Sequence, residues 1–519
     1  MLSRDQPDGC LLIGLVVSGM KVARARSRLH NGAGELLDAK RCPLVEVDAR
    51  RVQSLVACQE GGTSRSSGET PVIGVERRGR AVEFRSTINQ QWEESDDRDE
   101  IGRQAVRYPE NSVWSAYQRV KANKGAAGVD GQSLAEFEQD EKNNLYRLWN
   151  RLSSGSYFPP PVRAVEIPKQ GGSRTLGVPT VADRIAQTAV AMVLNPDVEK
   201  VFHRDSYGYR PGRSAWEAVE TCKQRCWRQS WVIDLDIQGF FDNVPHAPIV
   251  AAVEKHTTLP WVLLYVKRWL VAPVQQADGT LLERDKGTPQ GSAISPLLSN
   301  LFMHYAFDAW LDREFPTIRF ERYCDDVVVH CASEKQAEFV RDAIERRLRQ
   351  FGLNLHPHKT RIVYCKQEGR DLDFSVTEFT FLGFTFRRRA ARLRDGRLKS
   401  GFLPSVSKQA KKSMARAIRN WQLGRWTALT FKEIAAMINP VVAGWINYYG
   451  RFYKSDLIHF LARQINPFLV KWAMRKFKRF RRAAGKARRK LAEIASAYPG
   501  IFAHWKHGAL PTGSTVGAV

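Results

Sequence analysis

The sequence predicts a mixed α/β fold in which long helices pack on one face of a β-sheet. Residues 230–244, "SWVIDLDIQGFFDNV", begin with apolar and acidic side chains that alternate with the period of two typical of a strand. Residues 295–311, "SPLLSNLFMHYAFDAWL", instead have apolar side chains at helical spacing, with Ser295 as N-cap and Pro296 in the first turn. Strands that alternate with long helices favour a layered domain.

The elements before residue 230 can be predicted in order along the chain. Trp114, Tyr117 and Val120 have the spacing of one helix face. Residues 159–181 predict a β-hairpin around "KQGG". The next stretch, "ADRIAQTAVAMVLNPDVEKVF", predicts a helix that Pro196 interrupts.

Acidic residues are concentrated at two points of the predicted sheet. Asp234 and Asp236 lie on one face of the first strand. Asp325 and Asp326 are adjacent, and they occupy a turn between two apolar, strand-like runs, "IRFERY" and "VVVHC".

Adjacent carboxylates in a tight turn repel each other unless a cation neutralises them. A hard divalent ion such as Mg²⁺ prefers carboxylate oxygens and retains water ligands that a phosphate can replace. Two such ions support phosphoryl transfer, provided that a third acid comes from another strand. Asp236 is the candidate for that acid. The alternative is a surface turn with two solvated acids.

The charge of the chain is concentrated near its C-terminus. The net charge is +26 over 519 residues, and residues 387–519 hold 29 Lys and Arg against four Asp and Glu, a net +25. This distribution predicts a polyanionic partner for the C-terminal quarter.

Cysteine usage and hydropathy give three further expectations. The eight cysteines contain no C-x-x-C pair, and Cys222 and Cys226 have no second ligand pair nearby in the sequence, so they do not predict a zinc site. Their scatter is typical of a reducing, cytoplasmic protein. The stretch "CLLIGLVVSGM" is too short to span a bilayer, so we expect no membrane partner and a nucleic acid as the polyanion. Residues 1–95 lack sustained periodicity and have no predicted function.

Seven sequence blocks occur in an order that resembles the reverse transcriptases encoded by bacterial group II introns. They are "IPKQGGSRTLGVPTVADRIAQ", "YGYRPGRSAWEAV", "DIQGFFDNV", "GTPQGSAISPLLSNL", "YCDD", "GLNLHPHKT" and "FTFLGF". The later "INPVVAGWINYYGRF" resembles the maturase segment of that family, called domain X, and "YPGIFAHWKHG" resembles its C-terminal end. No endonuclease module is recognisable after it, so we expect this member to lack the DNA-cutting domain.

The resemblance implies an α+β fold of the right-hand polymerase type. Fingers and palm, with an antiparallel palm sheet, would span residues 96–386; an α-helical thumb, or domain X, would span 387–480; a basic tail would span 481–519. The implied activity is RNA-directed DNA synthesis from dNTPs on an RNA template and a DNA primer or target, with two Mg²⁺ ions or Mn²⁺ as a substitute. The implied maturase role is binding of the parent intron RNA to assist splicing. The alternatives are a related polymerase recruited to phage defence or DNA repair, and a non-catalytic splicing factor.

The same resemblance implies roles for individual residues. Asp236, Asp325 and Asp326 would be the catalytic metal ligands. Phe241 would block a ribose 2′-hydroxyl and so select deoxynucleotides, although Phe240 competes for this role.

Other basic and polar residues would contact the substrates. Lys169 and Arg174 would bind the incoming triphosphate, although their spacing is one residue shorter than the family's pattern. Gln290 would pack by the nascent base pair, and Lys359 would lie near the primer.

Two groups of basic residues are candidate contacts to nucleic acid. Arg210 and Arg213, in "RPGRS", would contact the template backbone. Residues 469–490 predict one amphipathic helix with an apolar stripe and a basic face. The candidate RNA contacts there are Arg475, Lys478, Arg479, Arg481 and Arg482.

Overall fold

The computed structural model describes residues 110–169, 172–370, 372–392 and 396–511. The N-terminal extension, including its apolar stretch, lies outside these residues. The α-helices are α1 (Glu110–Asn123), α2 (Leu134–Gln139), α3 (Glu141–Ser153), α4 (Val181–Glu199), α5 (Ala215–Arg228), α6 (Phe240–Asn243), α7 (His246–Glu254), α8 (Pro260–Val271), α9 (Ser295–Met303), α10 (Ala309–Glu314), α11 (Glu334–Arg349), α12 (Lys408–Asn420), α13 (Phe431–Tyr449), α14 (Lys454–Lys476) and α15 (Ala484–Ala497). The strands are β1 (Val162–Lys169), β2 (Gly172–Val178), β3 (Trp231–Leu235), β4 (Val274–Gln275), β5 (Leu281–Leu282), β6 (Arg319–Tyr323), β7 (Asp326–Cys331), β8 (Arg361–Tyr364), β9 (Phe379–Phe381), β10 (Phe384–Arg392) and β11 (Leu398–Val406).

The central sheet has four strands in the order β6-β7-β3-β8, and every neighbouring pair is antiparallel. Strand β3 ends at Leu235, which lies opposite Val327 of β7. Strands β6 and β7 form a hairpin whose turn contains Asp325, as the sequence predicted.

Both faces of this sheet are covered, whereas the sequence predicted helices on one face only. Ile233 and Val329 enter a large core together with α1, α4, α9 and α11. Val232 and Val328 enter a second core with α5 and with β9, β10 and β11. The prediction was wrong because the runs around these residues are apolar at consecutive positions, which is typical of a strand buried on both faces.

The predicted hairpin before the central sheet is confirmed as β1 and β2, and β4 and β5 extend it into a second four-stranded sheet. Three details differ from prediction. Trp114 is 49% exposed, so it does not share the buried face of Tyr117. Helix α4 continues through Pro196, and the N-cap of α9 is Ile294 rather than Ser295.

The C-terminal helices α12 to α15 form a separate core around Trp472 and Trp505, which are both 1% exposed. The prediction of a single helix over residues 469–490 is wrong. Helix α14 ends at Lys476, Lys478–Phe480 form a 3₁₀ turn, and α15 begins at Ala484. Because the helix breaks here, Phe480 packs into the core, and α15 packs on the same core through Ala487, Leu491 and Ala495.

Across the described ranges, no helix combines the length and the apolar character needed to cross a bilayer.

Candidate active site

Three carboxylates meet at one end of the central sheet. Pairing between β3 and β7 ends with Leu235 opposite Val327, and Asp236 follows Leu235 as Asp326 precedes Val327, so both lie at the same end of the sheet. Asp325 lies in the turn between β6 and β7, where its carboxylate interacts electrostatically with that of Asp236. The structure therefore brings together the three aspartates that the sequence singled out.

The segment 352–360 supports Asp236 from the β8 side. Ile237 forms an antiparallel bridge with Leu355, and the backbone N–H of His356 donates to the Asp236 carbonyl at 2.7 Å. Lys359 places its Nζ 2.8 Å from Asp236 Oδ2. That oxygen is buried and accepts no hydrogen bond of regular geometry, so the ammonium group supplies its counter-charge.

Burial and mutual repulsion disfavour negative charge at this edge. Burial raises the pKa of the Asp325 carboxyl; the Asp236 carboxylate adds to the rise, and the Arg174 guanidinium opposes it. Burial also raises the pKa of Asp234 to about 6, although its ion pair with Arg361 at 3.2 Å opposes the shift. A bound cation would stabilise such a cluster of carboxylates.

The turn that carries Asp325 is held in an uncommon backbone conformation. Cys324 has φ of 61° and is 4% exposed. Left-handed backbone is strained for a residue other than glycine unless the surroundings enforce it. Gly208 packs directly on the turn, and a Cβ atom there would lie 2.7 Å from the Cys324 nitrogen.

A fully buried arginine lies behind this turn, and sequence reasoning missed it. Arg322 donates through Nη1 to the Cys324 carbonyl at 3.0 Å and to Asn300 Oδ1 at 2.8 Å. Its Nη2 donates to Asp308 Oδ2 at 2.6 Å and to Ser206 Oγ at 2.8 Å. Asp308 ends a π-helical segment, His304–Asp308, between α9 and α10. The signal in the sequence was a charged residue inside a predicted strand. The adjacent residues of that strand are buried in the structure.

The loop 287–292 connects the hairpin β1–β2 to the segment around Phe241. The N–H of Thr288 donates to the Phe241 carbonyl at 2.7 Å, and the N–H of Gly177 donates to the Gln290 carbonyl at 2.7 Å. The Arg174 guanidinium donates to the Gln290 side chain. Gly291 has φ of 111°, and a Cβ atom there would lie 2.4 Å from the Gly177 carbonyl, so only glycine fits.

Gln187 anchors the far end of this loop and was also missed. Its Oε1 accepts hydrogen bonds from Ser292 Oγ at 2.6 Å and from the Ala293 N–H at 2.8 Å. Its Nε2 donates to Asp183 Oδ2 at 2.9 Å.

The two neighbouring phenylalanines have different environments. Phe240 is 2% exposed and belongs to the large core, whereas Phe241 is half-buried at the edge of that core. Their rings pack edge to face with centroids 5.3 Å apart. Phe241 is thus the ring that an incoming ligand could contact.

The remaining predicted substrate contacts differ in accessibility. Lys169 ends β1 opposite Gly172, but its side chain lies outside the described residues. Arg210, expected at the template backbone, is instead 6% exposed and bound to Glu199 at 2.5 Å and to the Ser206 carbonyl at 2.7 Å.

Arg213 is half-buried. Its guanidinium packs over the Tyr207 ring at 4.5 Å and donates to the Arg204 carbonyl at 2.7 Å.

The predicted RNA contacts near the C-terminus are all exposed. Arg475 on α14 donates to the Gly424 carbonyl at 3.1 Å. Lys478 and Arg479 lie on the 3₁₀ turn, with Arg479 over the Phe480 ring at 4.7 Å. The other two residues, Arg481 and Arg482, lie between that turn and α15.

Two families match successive parts of the chain. Residues 167–386 match the family "Reverse transcriptase (RNA-dependent DNA polymerase)", and residues 411–491 match "Group II intron, maturase-specific domain". The first match contains all three aspartates. The second contains most of the C-terminal core and all five exposed basic residues.

Several curated proteins are similar to this chain. Protein YkfC of Escherichia coli is 31% identical over a region that covers 46% of this chain and 74% of that protein. The group II intron-encoded protein LtrA of Lactococcus lactis is 32% identical, over 40% of this chain and 35% of LtrA. The putative COX1/OXI3 intron 1 protein of Saccharomyces cerevisiae is 30% identical, over 38% of this chain and 24% of that protein. The match therefore spans about a third or less of the two intron proteins.

Among solved structures, the telomerase of Candida albicans in complex with a fragment of telomeric RNA aligns with a TM-score of 0.38 and 12% identity. The alignment covers 73% of this chain and 70% of the telomerase chain. The two family matches and the curated relatives show that the chain has a polymerase-like fold of mixed helices and sheets. The chain belongs to the group II intron-encoded reverse transcriptases and maturases, a family of RNA-directed DNA polymerases.

Proposed function

We propose that this chain copies RNA into DNA at the edge of the central sheet where Asp236, Asp325 and Asp326 meet. In the reaction, the primer 3′-hydroxyl forms a bond to the α-phosphorus of a dNTP. The bond from that phosphorus to the β-phosphate breaks, and pyrophosphate leaves. The single observation that carries the proposal is the convergence of three carboxylates at one end of the central sheet, within a chain of the reverse transcriptase family.

The residues present fit divalent cations, which reverse transcriptases generally use. Asp236 Oδ2 is a buried oxygen without a regular hydrogen bond, and hard cations such as Mg²⁺ prefer carboxylate oxygens. We assign two Mg²⁺ to Asp236, Asp325 and Asp326, with Mn²⁺ as a substitute. When bound, such ions make the primer hydroxyl a better nucleophile and offset charge on the leaving pyrophosphate.

The side chains around the carboxylates would bind and orient the nucleotide. Arg174 would contact the triphosphate together with Lys169 of the same hairpin, because a guanidinium binds phosphate oxygens through paired hydrogen bonds. Gln290, already in contact with Arg174, would pack by the nascent base pair. Lys359 would exchange its ion pair with Asp236 for a phosphate once cations neutralise the carboxylate.

Replacing Phe241 with alanine is expected to raise the use of ribonucleotides relative to deoxynucleotides by about tenfold or more. The phenyl ring fills the space that a 2′-hydroxyl would need, and alanine leaves that space open. The measurement is the ratio of kcat/KM for a ribonucleotide and the matching deoxynucleotide in single-nucleotide extension.

Two variants serve as controls for this prediction. Phe241→Tyr keeps the ring and should keep the selectivity. Phe240→Leu changes the neighbouring buried ring and should affect stability more than selectivity. If Phe241→Ala leaves the ratio unchanged, or Phe240→Leu raises it instead, Phe241 is not the selective residue.

The exposed basic residues of the C-terminal part would bind RNA through its phosphates. Structured RNA is recognised largely by shape and backbone contacts, which suits lysine and arginine side chains held on a packed helical scaffold. We propose that Arg475, Lys478, Arg479, Arg481 and Arg482 contact the parent group II intron RNA during splicing. The same surface would hold the RNA template and the DNA primer during copying.

Replacing Lys478, Arg479, Arg481 and Arg482 together with glutamine should weaken RNA binding and flatten its salt dependence. Each lost phosphate contact lowers the magnitude of the slope of log K against log salt by about 0.7–0.9, so loss of all four contacts should lower it by about 3. The measurement is Kd for a structured RNA at several salt concentrations. The matched control replaces four exposed basic residues elsewhere, Lys200, Lys335, Arg346 and Arg349. Equal slopes in both variants would contradict a localised RNA surface.

We further propose how the chain divides. Residues 96–386 would be the fingers and palm, with β1–β2 as a fingers hairpin and the central sheet as the palm. Residues 387–480 would be the thumb and maturase domain, and 481–519 a basic C-terminal segment. The free cysteines of the described residues suit a reducing, cytoplasmic location.

Primer extension by the purified chain tests the proposed reaction. The chain is incubated with Mg²⁺, dNTPs and a DNA primer on either an RNA or a DNA template. DNA product on the RNA template supports the proposal. Tight binding of RNA without any product would instead favour a splicing factor that has lost polymerase activity. Full activity without any effect on splicing of an intron RNA would favour a polymerase recruited to defence or repair.

A further inference from the structure

Three thiols and one imidazole converge on the face of the central sheet that packs against α5. Cys222 and Cys226 lie one helical turn apart on α5. His330 of β7 lies opposite Val232, whose other neighbour is Val363 of β8, and Cys365 lies two residues further on the same face. All three cysteines are fully buried, and His330 is 1% exposed.

The imidazole of His330 uses only one of its two nitrogens. Nε2 lies 2.6 Å from Glu321 Oε2, and Arg225 donates to the other oxygen of that carboxylate at 2.6 Å. Nδ1 is buried and has no hydrogen-bond partner of regular geometry. The Cys226 thiol lies beside this imidazole and also interacts with the thiols of Cys222 and Cys365.

Three candidate ligand atoms on this face are close enough for one ion. One potential ligand atom each from Cys222, Glu321 and His330 lies within 4.8 Å of the other two. The Cys226 thiol interacts with Cys222, Cys365 and His330 and belongs to the same buried cluster as the other two cysteines. Cys226 and Cys365 lie outside that 4.8 Å group, so binding of three sulfurs and one nitrogen to one ion requires these side chains to rotate toward Nδ1 of His330.

We propose that Cys222, Cys226, Cys365 and Nδ1 of His330 bind a structural Zn²⁺ ion. Three cysteine sulfurs and one histidine nitrogen are a donor set of closed, tetrahedral zinc sites. Glu321 holds Nε2–H of His330, which is the carboxylate–histidine arrangement that orients metal-binding imidazoles. Burial lowers the pKa of His330, but the Glu321 carboxylate raises it to about 10, so Nδ1 carries a proton before the ion binds. Binding releases that proton and the three thiol protons to the solvent and leaves one excess negative charge on the ion and its ligands. Arg225, bound to Glu321, offsets that charge.

The site lies apart from the aspartates and has a different chemistry. Its sulfur and nitrogen donors select a softer ion than the carboxylates of the active site do. No zinc motif is recognisable in the sequence, because Cys365 and His330 lie more than a hundred residues after Cys226. Since the group is fully buried, the ion would enter as the chain folds and would link α5 to β7 and to the end of β8.

The zinc content of the full chain tests this proposal. The protein is expressed with added zinc, purified in the presence of a chelator and analysed by elemental mass spectrometry. We expect about one zinc ion per chain in the wild type and in Cys331→Ser. Cys331 is a buried cysteine on the same strand, but it belongs to the core on the opposite face, so it is the matched control. Cys226→Ser and Cys365→Ser should lose the ion.

Cobalt substitution keeps the test decisive if those variants do not fold. Wild-type chain refolded with Co²⁺ should show a sulfur-to-cobalt charge-transfer band and the intense visible bands of tetrahedral cobalt. A carboxylate site would not give the sulfur band. Folded wild-type protein that contains no zinc and gives no sulfur band would overturn the proposal, as would equal zinc content in Cys331→Ser and a folded Cys226→Ser.

Discussion

Replacing Asp325 and Asp326 together with asparagine should lower primer extension by at least about a thousandfold, or about 4 kcal/mol of transition-state stabilisation. Asparagine has nearly the same shape as aspartate but cannot neutralise a divalent cation. The turn itself should persist, because Arg322 binds it through the Cys324 carbonyl and Gly208 packs on its backbone. The measurement is the extension rate at saturating Mg²⁺ on an RNA template.

RNA binding and stability separate a catalytic from a structural role for this pair. The double variant should bind RNA as the wild type does, since the exposed basic residues are unchanged. Asp242→Asn, an exposed acid six residues after Asp236, is the matched control and should keep full activity. Loss of RNA binding along with activity would mean that the aspartates support the fold. Retained activity would exclude them as the metal ligands.

The same variant should be at least as stable as the wild type at neutral pH without added cations. Burial raises the pKa of Asp325 above its unfolded value, so the ionised group disfavours the folded state once the pH exceeds the unfolded pKa. Asparagine removes that unfavourable charge. In thermal unfolding, Mg²⁺ should then stabilise the wild type and leave the variant unchanged.

Local patterns in the sequence predicted the elements that carry the chemistry. The alternation of apolar and acidic residues predicted β3, and the apolar runs beside Asp325 and Asp326 predicted a turn between strands. These predictions succeeded because strand periodicity and turn residues act over a few neighbouring positions. Asp236 was the candidate for the third metal ligand because two divalent ions require an acid from another strand, and the family resemblance implied the same role. Local patterns could not show the convergence itself, because the register between β3 and β7 joins residues about ninety positions apart.

Interactions between distant segments were the part that local patterns could not predict. The helix predicted over 469–490 has good helical periodicity, yet burial of Phe480 and α15 in one core breaks it. Arg210 lies in a basic motif that resembles a template contact, but Glu199, eleven residues earlier, draws it into the interior. In both cases a tertiary contact outweighs the local signal.

The buried pair of Arg322 and Asp308 should be the most sensitive point of the fold behind the active site. Both side chains are fully buried, and Nη2 of the arginine lies 2.6 Å from the carboxylate. Arg322→Met leaves Asp308 charged and unpaired in the interior, which costs about 3–5 kcal/mol in the free energy of unfolding. The measurement is chemical denaturation. Breaking the exposed pair Lys200–Asp197 by Lys200→Met should give no measurable change.

A second substitution distinguishes stability from positioning. Arg322→Met with Asp308→Leu replaces the whole pair with apolar side chains, so most of the lost stability should return. Primer extension should stay low in this double variant, because no guanidinium donates to the Cys324 carbonyl and to Asn300. The strained turn would then be free to relax, and Asp325 would lose its fixed position near Asp236. Recovery of both stability and full activity would show that the arginine only offsets the charge of Asp308. Recovery of stability alone would make Arg322 the residue that positions the catalytic turn.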